Sequence, residues 1–283
     1  GEPTAGPDIA SIASVGHEIM FYEARTGDKQ FSGMLKDFTN WLIDMQKEYG
    51  GEGLRQGPQT DILKEYPELK QKFAEPNAIV YAYLDNYARE YNDLKARAAA
   101  DKILDWTTKA MWDKQRGLMR YGEGKEGFSL DAQTRWIMVL GPQRFMEKFG
   151  MNAEEFWAYL ERVEKTFKVT ISNYSTLRGR VVDEVEIFDL ADEIVAAKRD
   201  LEKGKIARIG FPEVTAEMIG VYREAREAFN KLGRQDLAQE AEFKMQHYTA
   251  QIDKIKEIDH SLPQAVAAKR GVYTGFGTHT ILG

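Results

Sequence analysis

The stretch that decides the fold covers residues 74–145 and reads AEPNAIVYAYLDNYAREYNDLKARAAADKILDWTTKAMWDKQRGLMRYGEGKEGFSLDAQTRWIMVLGPQRF. Apolar residues recur in it at helical spacing, which predicts one amphipathic helix over residues 77–91 and a second over 94–112. A polar, Gly-rich loop follows at residues 117–127, and a new helix opens at Ser129. The stretch therefore predicts a helical hairpin, a large loop and the start of another hairpin.

The same arrangement occurs earlier in the chain, so the hairpin is a repeat. Residues 22–57 and 81–122 each contain a helix, a short turn, a helix with a central tryptophan and a loop that contains Gly-Leu. The two tryptophans are Trp41 and Trp106, and we expect both, with Trp136, to pack in the core. Helical hairpins repeated at this period indicate stacked units that share one core.

The remaining elements continue the pattern. Asp8 and Asn152 precede helical segments and are candidate N-caps, because a short polar side chain can accept a hydrogen bond from the first turn. The other predicted helices cover residues 8–24, 30–48, 129–140, 153–166, 214–232 and 237–256. We expect residues 167–171 to be extended, 172–180 to form a loop, and the charged stretch 183–203 to be a helix, a broken helix or a lid.

Two architectures fit hairpins in series, an open solenoid and a closed double ring of helices, the (α/α) toroid. Large loops at the same end of every hairpin favour the ring, because they would line a common mouth. We therefore predict an all-α fold, an (α/α) toroid in a single domain over residues 1–283. The last hairpin is short, which predicts an incomplete ring of about five to six hairpins.

Composition excludes several classes of function. The net charge of −6 argues against nucleic acid as a partner, because phosphate binding requires clustered Lys and Arg. The apolar runs are too short for a membrane span. The chain has no Cys, so neither a disulfide framework nor a thiolate metal site is possible. It also lacks the common nucleotide, dinucleotide, hydrolase and zinc motifs, so we expect no cofactor and no metal.

Several short motifs, in this order, resemble those of bacterial six-hairpin (α/α) toroid glycosidase-like proteins. The resemblance spans most of the chain and implies a carbohydrate-active protein, a periplasmic or extracellular location, and a polysaccharide or oligosaccharide as partner. It is carried by Gly16, Thr26-Gly27-Asp28, Glu75-Pro76-Asn77, Trp112-Asp113, Ser129-Leu130-Asp131-Ala132-Gln133 and Phe211-Pro212-Glu213-Val214-Thr215-Ala216-Glu217-Met218.

Acidic residues at predicted helix starts are the candidate catalytic groups. Hydrolysis of a glycosidic bond requires one protonated and one ionised carboxyl group. We select Glu75, Asp131 and Glu213, which lie where the loops gather. For any one of them, a role as a helix cap or dipole partner is the more frequent explanation. Glu217 lies one turn after Glu213 on the same helix face.

Candidate substrate-binding groups come from the loops and helix starts. Arg forks suit carboxylates, so an acidic polysaccharide such as a uronate is a natural partner. Tyr121 lies in a loop and is the aromatic residue most suited to stack on a sugar. The full predicted set is Arg55, Gln56, Asn77, Arg120, Tyr121 and His17.

Three alternatives stay open at this point. A polysaccharide lyase would use His17 with Tyr22 or Tyr81 to remove a proton next to a carboxylate. A non-catalytic helical-repeat module of an export or surface assembly would bind glycan or protein without cleaving it. A metal site would use the acids Glu184, Glu186 and Asp189, which lie near Glu213 and Glu217 in the sequence. Acidic runs, however, are usually solvated faces. The preferred hypothesis is a glycoside hydrolase.

Overall fold

The computed structural model describes residues 8–48, 51–57, 70–175, 181–192 and 209–256. The chain divides into two compact units, Gly1–Lys125 and Glu126–Gly283, and each is described by itself. The single domain over residues 1–283 stays a prediction. The predicted tail after residue 256 and the second half of the charged stretch 183–203 lie outside the described residues. Within the described ranges, no helix combines the length and apolar character needed to cross a bilayer.

The first unit consists of two helical hairpins, as the repeat predicts. Its helices are α1 (Ile9–Thr26), α2 (Ser32–Glu48), α3 (Ala74–Tyr91) and α4 (Leu94–Trp106). The predicted N-cap is confirmed, since the Asp8 side chain accepts the Ser11 N–H at 2.9 Å.

The predicted helix over residues 94–112 is too long. After α4 the chain forms a π-helical turn, Thr107–Met111, and then two short antiparallel strands, β1 (Trp112–Asp113) and β2 (Leu118–Met119). The Asp113 carboxylate accepts the backbone N–H groups of Gln115 and Arg116, both at 2.9 Å. Because the Asp113 side chain binds these backbone N–H groups, they are not available for helical hydrogen bonds, and a turn is favoured over continued helix.

Close helix packing in the first unit depends on glycine. A Cβ atom built on Gly16 would lie 2.4 Å from the ring of Tyr83, and one on Gly53 would lie 2.4 Å from the ring of Trp106. Tyr83 and Trp106 are both buried. The two glycines therefore let α1 approach α3 and let the loop after α2 cover α4, because any side chain would overpack these sites.

The second unit contains α5 (Leu130–Leu140), α6 (Pro142–Phe149), α7 (Ala153–Phe167), α8 (Pro212–Lys231) and α9 (Gln235–Ile255). Helix α6 was not predicted. Pro142 opens it, and proline at the first helical position replaces an N–H group that has no partner in the helix. The cap of α7 is confirmed, since Asn152 and Glu155 form a reciprocal capping box.

A β-hairpin interrupts the helices of the second unit. Strand β3 (Lys168–Ser175) pairs antiparallel with β4 (Val181–Phe188). The predicted loop at 172–175 is therefore strand, and so is the part of the charged stretch expected to be helical. Val182, Val185 and Ile187 of β4 are buried in a cluster with Val169 and Ile171 of β3 and Ile255 of α9.

A buried carboxylate joins three helices of the second unit. Glu164 of α7 accepts hydrogen bonds from the hydroxyls of Tyr222 and Tyr248, each at 2.9 Å, and from Lys244 at 2.7 Å. Burial alone would raise the pKa of Glu164, but Lys244 and the two tyrosines reverse this effect, and the pKa is lowered. The carboxylate is thus ionised and links α7 to α8 and α9.

In each of the first three hairpins, the segment that follows the hairpin returns to the start of the hairpin's first helix and is hydrogen-bonded to it. The first residue of the helix donates its N–H to a carbonyl in the segment after the hairpin: Ile9 to Gln56 at 3.0 Å, Ala74 to Tyr121 at 3.0 Å, and Leu130 to Leu190 at 2.9 Å. Two isolated antiparallel bridges, Phe73↔Gly122 and Ser129↔Ala191, accompany the last two bonds. The repeat thereby brings a loop segment to each of these helix starts.

Candidate active site

The three predicted catalytic acids occupy equivalent positions. Glu75, Asp131 and Glu213 are each the second residue of a helix, namely α3, α5 and α8. Glu75 and Asp131 are half-buried, and Glu213 is exposed. The structure therefore places all three at helix starts, as predicted, and their catalytic role stays a prediction.

A buried polar residue stands two positions after each acid. Asn77, Gln133 and Thr215 are fully buried, and each donates to the backbone carbonyl that precedes its helix, at 2.8, 3.0 and 2.8 Å. Each also makes a second contact outside its helix: Asn77 with Leu54, Gln133 with Tyr159, and Thr215 with Phe188. These residues fix the first turn that carries the acid. In the sequence this arrangement appears as an acid followed two residues later by a polar residue: Glu-Pro-Asn at 75–77, Asp-Ala-Gln at 131–133 and Glu-Val-Thr at 213–215.

Asp131 sits in a dry site at the start of α5. Its carboxylate accepts the Ala132 N–H at 3.1 Å. Burial raises the pKa of Asp131, although hydrogen bonds from Ser129 and Ala132 and the charge of Arg135 oppose the shift. A carboxyl group whose pKa is raised in this way holds its proton to higher pH and is suited to act as a general acid.

Glu217 of α8 is joined to α5 by two side chains. It accepts the Thr134 hydroxyl at 2.7 Å and pairs with the Arg135 guanidinium at 2.6 Å. Burial again raises its pKa, and the negative charges of Asp131 and Glu213 add to the rise. Thr134 and Arg135 were not predicted. They follow Asp131 by three and four residues, so helical spacing puts them on its face of α5.

The second unit therefore brings together Asp131, Glu213 and Glu217, with one arginine. Burial raises the pKa of both Asp131 and Glu217, and for Glu217 the negative charges of Asp131 and Glu213 add to the rise, so both groups retain a proton to higher pH than exposed carboxyl groups would. The cluster can donate a proton through one group while another stays ionised, which is the minimum requirement for acid–base catalysis.

In the first unit, loop residues surround the start of α3. Arg55 and Gln56 lie half-buried in the loop after α2, and the backbone N–H of Gln56 binds the Gln71 carbonyl at 3.1 Å. The Arg120 guanidinium donates to Asp113 at 2.9 Å. The Tyr121 ring stacks on that of Phe73, with ring centroids 6.2 Å apart, and is half-buried.

Asn77 has a structural role in this unit. Its amide donates to the carbonyl of Leu54 at 2.9 Å and accepts the N–H of Leu54 at 2.7 Å. The side chain is fully buried and holds the loop after α2 on α3. We therefore no longer propose Asn77 as a substrate-binding group.

Comparisons with known proteins give matches at the level of structure only. No protein-family model matches the sequence, and no curated protein does. A cellobiose 2-epimerase from Bacillus thermoamylovorans aligns with a TM-score of 0.58 and 12% identity, covering 92% of this chain and 67% of its own. A sugar epimerase from a ruminal bacterium aligns with a TM-score of 0.59 and 15% identity, and the alignment covers 93% of this chain and 64% of the epimerase. A GH76 α-mannanase from Bacteroides thetaiotaomicron aligns with a TM-score of 0.51 and 10% identity, covering 92% and 62%.

The chain has the (α/α) toroid fold. This confirms the fold class and the resemblance derived from the repeat and its motifs. The chain spans about two thirds of the length of the toroids it matches. At these identities the likeness concerns the fold, and the activity has to be argued from the site.

The His17 ring contacts Tyr83, which is neither of the two proposed tyrosine partners. The two rings meet edge-on, with centroids 5.8 Å apart. Burial lowers the pKa of His17, while a hydrogen bond with the Ile79 backbone and the charge of Glu18 oppose the shift. Tyr22 donates its hydroxyl to Asp28 at 3.0 Å, and Tyr81 is buried. These contacts give no support to a lyase pair built on His17.

The acids proposed as alternative metal ligands have other partners. Glu186 binds Lys168 at 3.1 Å and His247 at 2.9 Å, and Asp189 accepts the backbone N–H groups of Ala191 and Ile209 at 3.2 Å. Among the described residues of the toroid, no group of three His, Asp or Glu side chains could hold a metal ion.

Proposed function

We propose that this toroid is a carbohydrate-active enzyme, and specifically a glycoside hydrolase that works through the carboxyl groups of the second unit. The supporting observation is that Asp131 at the start of α5 and Glu217 in the second turn of α8 both have raised pKa values, and that Glu217 is bonded to Thr134 and Arg135 of α5 and feels the negative charge of Asp131. In the proposal Asp131 protonates the departing glycosidic oxygen. The exposed carboxylate of Glu213 acts on the opposite side of the bond, directly or through water.

Glu217 has a positioning role in this proposal. It holds α8 to Thr134 and Arg135 of α5, and the charge of Asp131 raises its pKa further. Glu75 of the first unit remains a third candidate, because it occupies the position in α3 that Asp131 has in α5. A periplasmic or extracellular location is part of the proposal, since extended polysaccharides are met outside the cytoplasm.

A screen of oligosaccharides for new reducing ends tests the hydrolase proposal. We expect Asp131→Asn and Glu213→Gln to lower kcat by about 100-fold or more, the usual contribution of a general acid or base. Glu75→Gln tests the third candidate. The matched controls are Glu240→Gln on the exposed face of α9 and Glu90→Gln at the end of α3. Full activity in both Asp131→Asn and Glu213→Gln would remove the assignment.

Sugar epimerisation is the second candidate, because two of the structures that share the fold are sugar epimerases. Epimerisation moves a proton at carbon and leaves the glycosidic bond intact, and a pair of carboxyl groups that retains one proton suits this chemistry as well. Incubation of a disaccharide in D₂O separates the two reactions. Deuterium in an uncleaved epimer indicates epimerisation, whereas new reducing ends without deuterium at carbon indicate hydrolysis.

A further inference from the structure

A shallow groove of about 540 Å³ runs along α8 next to the acid cluster, and it lies wholly within the second unit. Glu213 and Glu217 line one end. Met138 of α5 and Met245 of α9 line the sides. The volume falls within the usual range of about 300–1,000 Å³ for small-molecule sites. The groove therefore continues the candidate active site along the helix that carries two of its carboxyl groups.

The middle of the groove is apolar and open. Gly220 lines it, and a Cβ atom at this position would meet no other atom within 4 Å. Met138 is 43% exposed, so it presents apolar surface to the groove. Thioether side chains adapt to irregular apolar surfaces, and the C–H face of a pyranose ring is such a surface.

The charges around the groove favour one class of sugar. Among the described residues, none places a cation within ion-pair distance of Glu213, which is exposed at the mouth. The positive charge of Arg135 is already directed to Glu217 at 2.6 Å, and Arg223 lies 3.4 Å from Glu224. Among the described residues that line the groove, the carboxyl groups of Glu213 and Glu217 outnumber the one guanidinium, that of Arg223, so an anionic ligand would meet more repulsion there than a neutral one.

We infer that this groove is the subsite for a neutral sugar ring next to the reacting bond and that it rejects uronates. The inference rests on the proposed function and deepens it by naming the substrate class. It differs from the expectation of an acidic polysaccharide, which the sequence analysis based on Arg55 and Arg120. Arg120 already pairs with Asp113, and the acid cluster lies in the other unit.

Binding can be measured without turnover by NMR of the protein labelled with ¹³C at its methionine methyl groups. The chain has 10 methionines, and Met138 and Met245 report on the groove. The probes are cellotriose and mannotriose as neutral sugars and trigalacturonate as the anionic sugar of equal length. We expect a neutral probe to move both methyl signals with an affinity at least tenfold above that of trigalacturonate. Met34, which is 44% exposed in the first unit, is the control and should not move.

Two variants sharpen the test. Glu213→Lys should bring trigalacturonate to the affinity of the neutral probe or above it, because the sign of the charge at the mouth changes. Gly220→Leu should fill the groove and weaken neutral binding at least tenfold, with an unchanged Tm showing that the fold is intact. Glu240→Gln is the matched charge control.

The outcomes for the groove and for the enzyme proposal are distinct. Methyl shifts with a neutral probe but without turnover would support the groove and remove the proposed hydrolase. Turnover without shifts at Met138 and Met245 would remove the groove alone. Binding of trigalacturonate as tight as that of the neutral probes would overturn the neutral-sugar inference, and the absence of both binding and turnover would overturn both proposals.

Discussion

Two opposing effects act on the Asp131 carboxyl group. A helix N-terminus stabilises negative charge and lowers a carboxyl pKa, and this alone would make Asp131 a base or nucleophile. Burial acts in the other direction, and it is the larger effect here, so the pKa of Asp131 is raised. The sequence predicts the helix start from the Ser-Leu-Asp pattern. It does not predict the burial, because that depends on which side chains from distant segments cover the carboxyl group.

The raised pKa gives a prediction about stability. The folded state binds the Asp131 proton more tightly than the unfolded state, so this contribution is fully present below the unfolded pKa and is lost as pH rises through the folded pKa. Asp131→Asn removes the cost of ionisation at neutral pH. We expect its Tm to exceed that of the unmodified protein by a few degrees at pH 7, since about 1 kcal/mol moves Tm by about 2–4 °C.

The predicted rise in Tm of Asp131→Asn is measured by thermal unfolding of both proteins at pH 4 and pH 7, followed by circular dichroism. The difference between the two proteins should be smaller at pH 4 than at pH 7, because a larger fraction of the folded protein carries the Asp131 proton at the lower pH. The control is Glu213→Gln, which changes an acid at the same helix position in an exposed setting. A variant less stable than the parent at pH 7 would contradict the raised pKa.

Arg135 gives a prediction about the pH dependence of activity. Its positive charge lowers the pKa values of Asp131 and Glu217, against the larger effect of burial. Replacing it in Arg135→Met should therefore raise both values. If Asp131 acts as the proton donor, the alkaline limb of the pH–kcat profile should move to higher pH.

The matched control is Arg226→Met, because Arg226 is an arginine of α8 that pairs with Glu242 and belongs to no part of the site. The alkaline limb of the pH–kcat profile of Arg226→Met should coincide with that of the unmodified protein. A limb that moves to lower pH in Arg135→Met would show that the group titrating there is not the Asp131–Glu217 pair.

At the scale of the element, the first turn of each acid-bearing helix is held by one buried polar side chain. Asn77 is the clearest case, since its amide spans α3 and the loop after α2. Asn77→Ala would leave the N–H and C=O of Leu54 without their partner. We expect a loss of about 2–3 kcal/mol in the free energy of unfolding, because each buried unsatisfied group costs about 1–3 kcal/mol.

Urea unfolding and hydrogen exchange of the Leu54 amide measure this loss. Gln56→Ala is the control in the same loop, because Gln56 bonds to Ile9 and Gln71 through its backbone. That variant should change stability by less than about 0.5 kcal/mol and leave the Leu54 amide protected. Equal effects of the two variants would show that loop packing, and not the Asn77 amide, holds the segment.

Apart from α6 and the end of α4, the helices were predictable from sequence to within a few residues, whereas only the first part of the β-hairpin, the extended segment 167–171, was predicted. Caps at Asp8 and Asn152 and apolar periodicity identify the helix bounds because both act over neighbouring residues. In β4 only Val185 and Ile187 are two residues apart, and the acids at 183, 184 and 186 leave too short an alternation to predict a strand. The strand forms because β3 and the helices bury that apolar face, and this is a long-range effect that the local pattern does not reveal.

At the scale of the whole molecule, the duplicated hairpin predicted stacked helical pairs, and the large loops at the same end of every hairpin favoured the toroid over an open solenoid. The repeat fixes which helices begin a hairpin, and every predicted catalytic acid lies at such a start. Glu217, Thr134 and Arg135 depend on the pairing of α5 with α8, which lie far apart in sequence. The acid positions were therefore predictable from the repeat, whereas the charge partners that set their pKa values required the three-dimensional structure.

The charge of the whole chain gives the last prediction. The formal net charge is −6, so an anionic oligosaccharide is repelled at long range as well as by Glu213. Salt screens this repulsion, with a Debye length of about 30 Å at 0.01 M and about 10 Å at 0.1 M. Raising NaCl from about 10 to 300 mM should therefore strengthen trigalacturonate binding several-fold and leave the affinity for neutral trisaccharides unchanged within about twofold. Titration calorimetry at the two salt concentrations measures both. If trigalacturonate instead binds more weakly as salt rises, an uncommitted basic group recognises it, and the neutral-sugar groove on α8 is not the principal binding site.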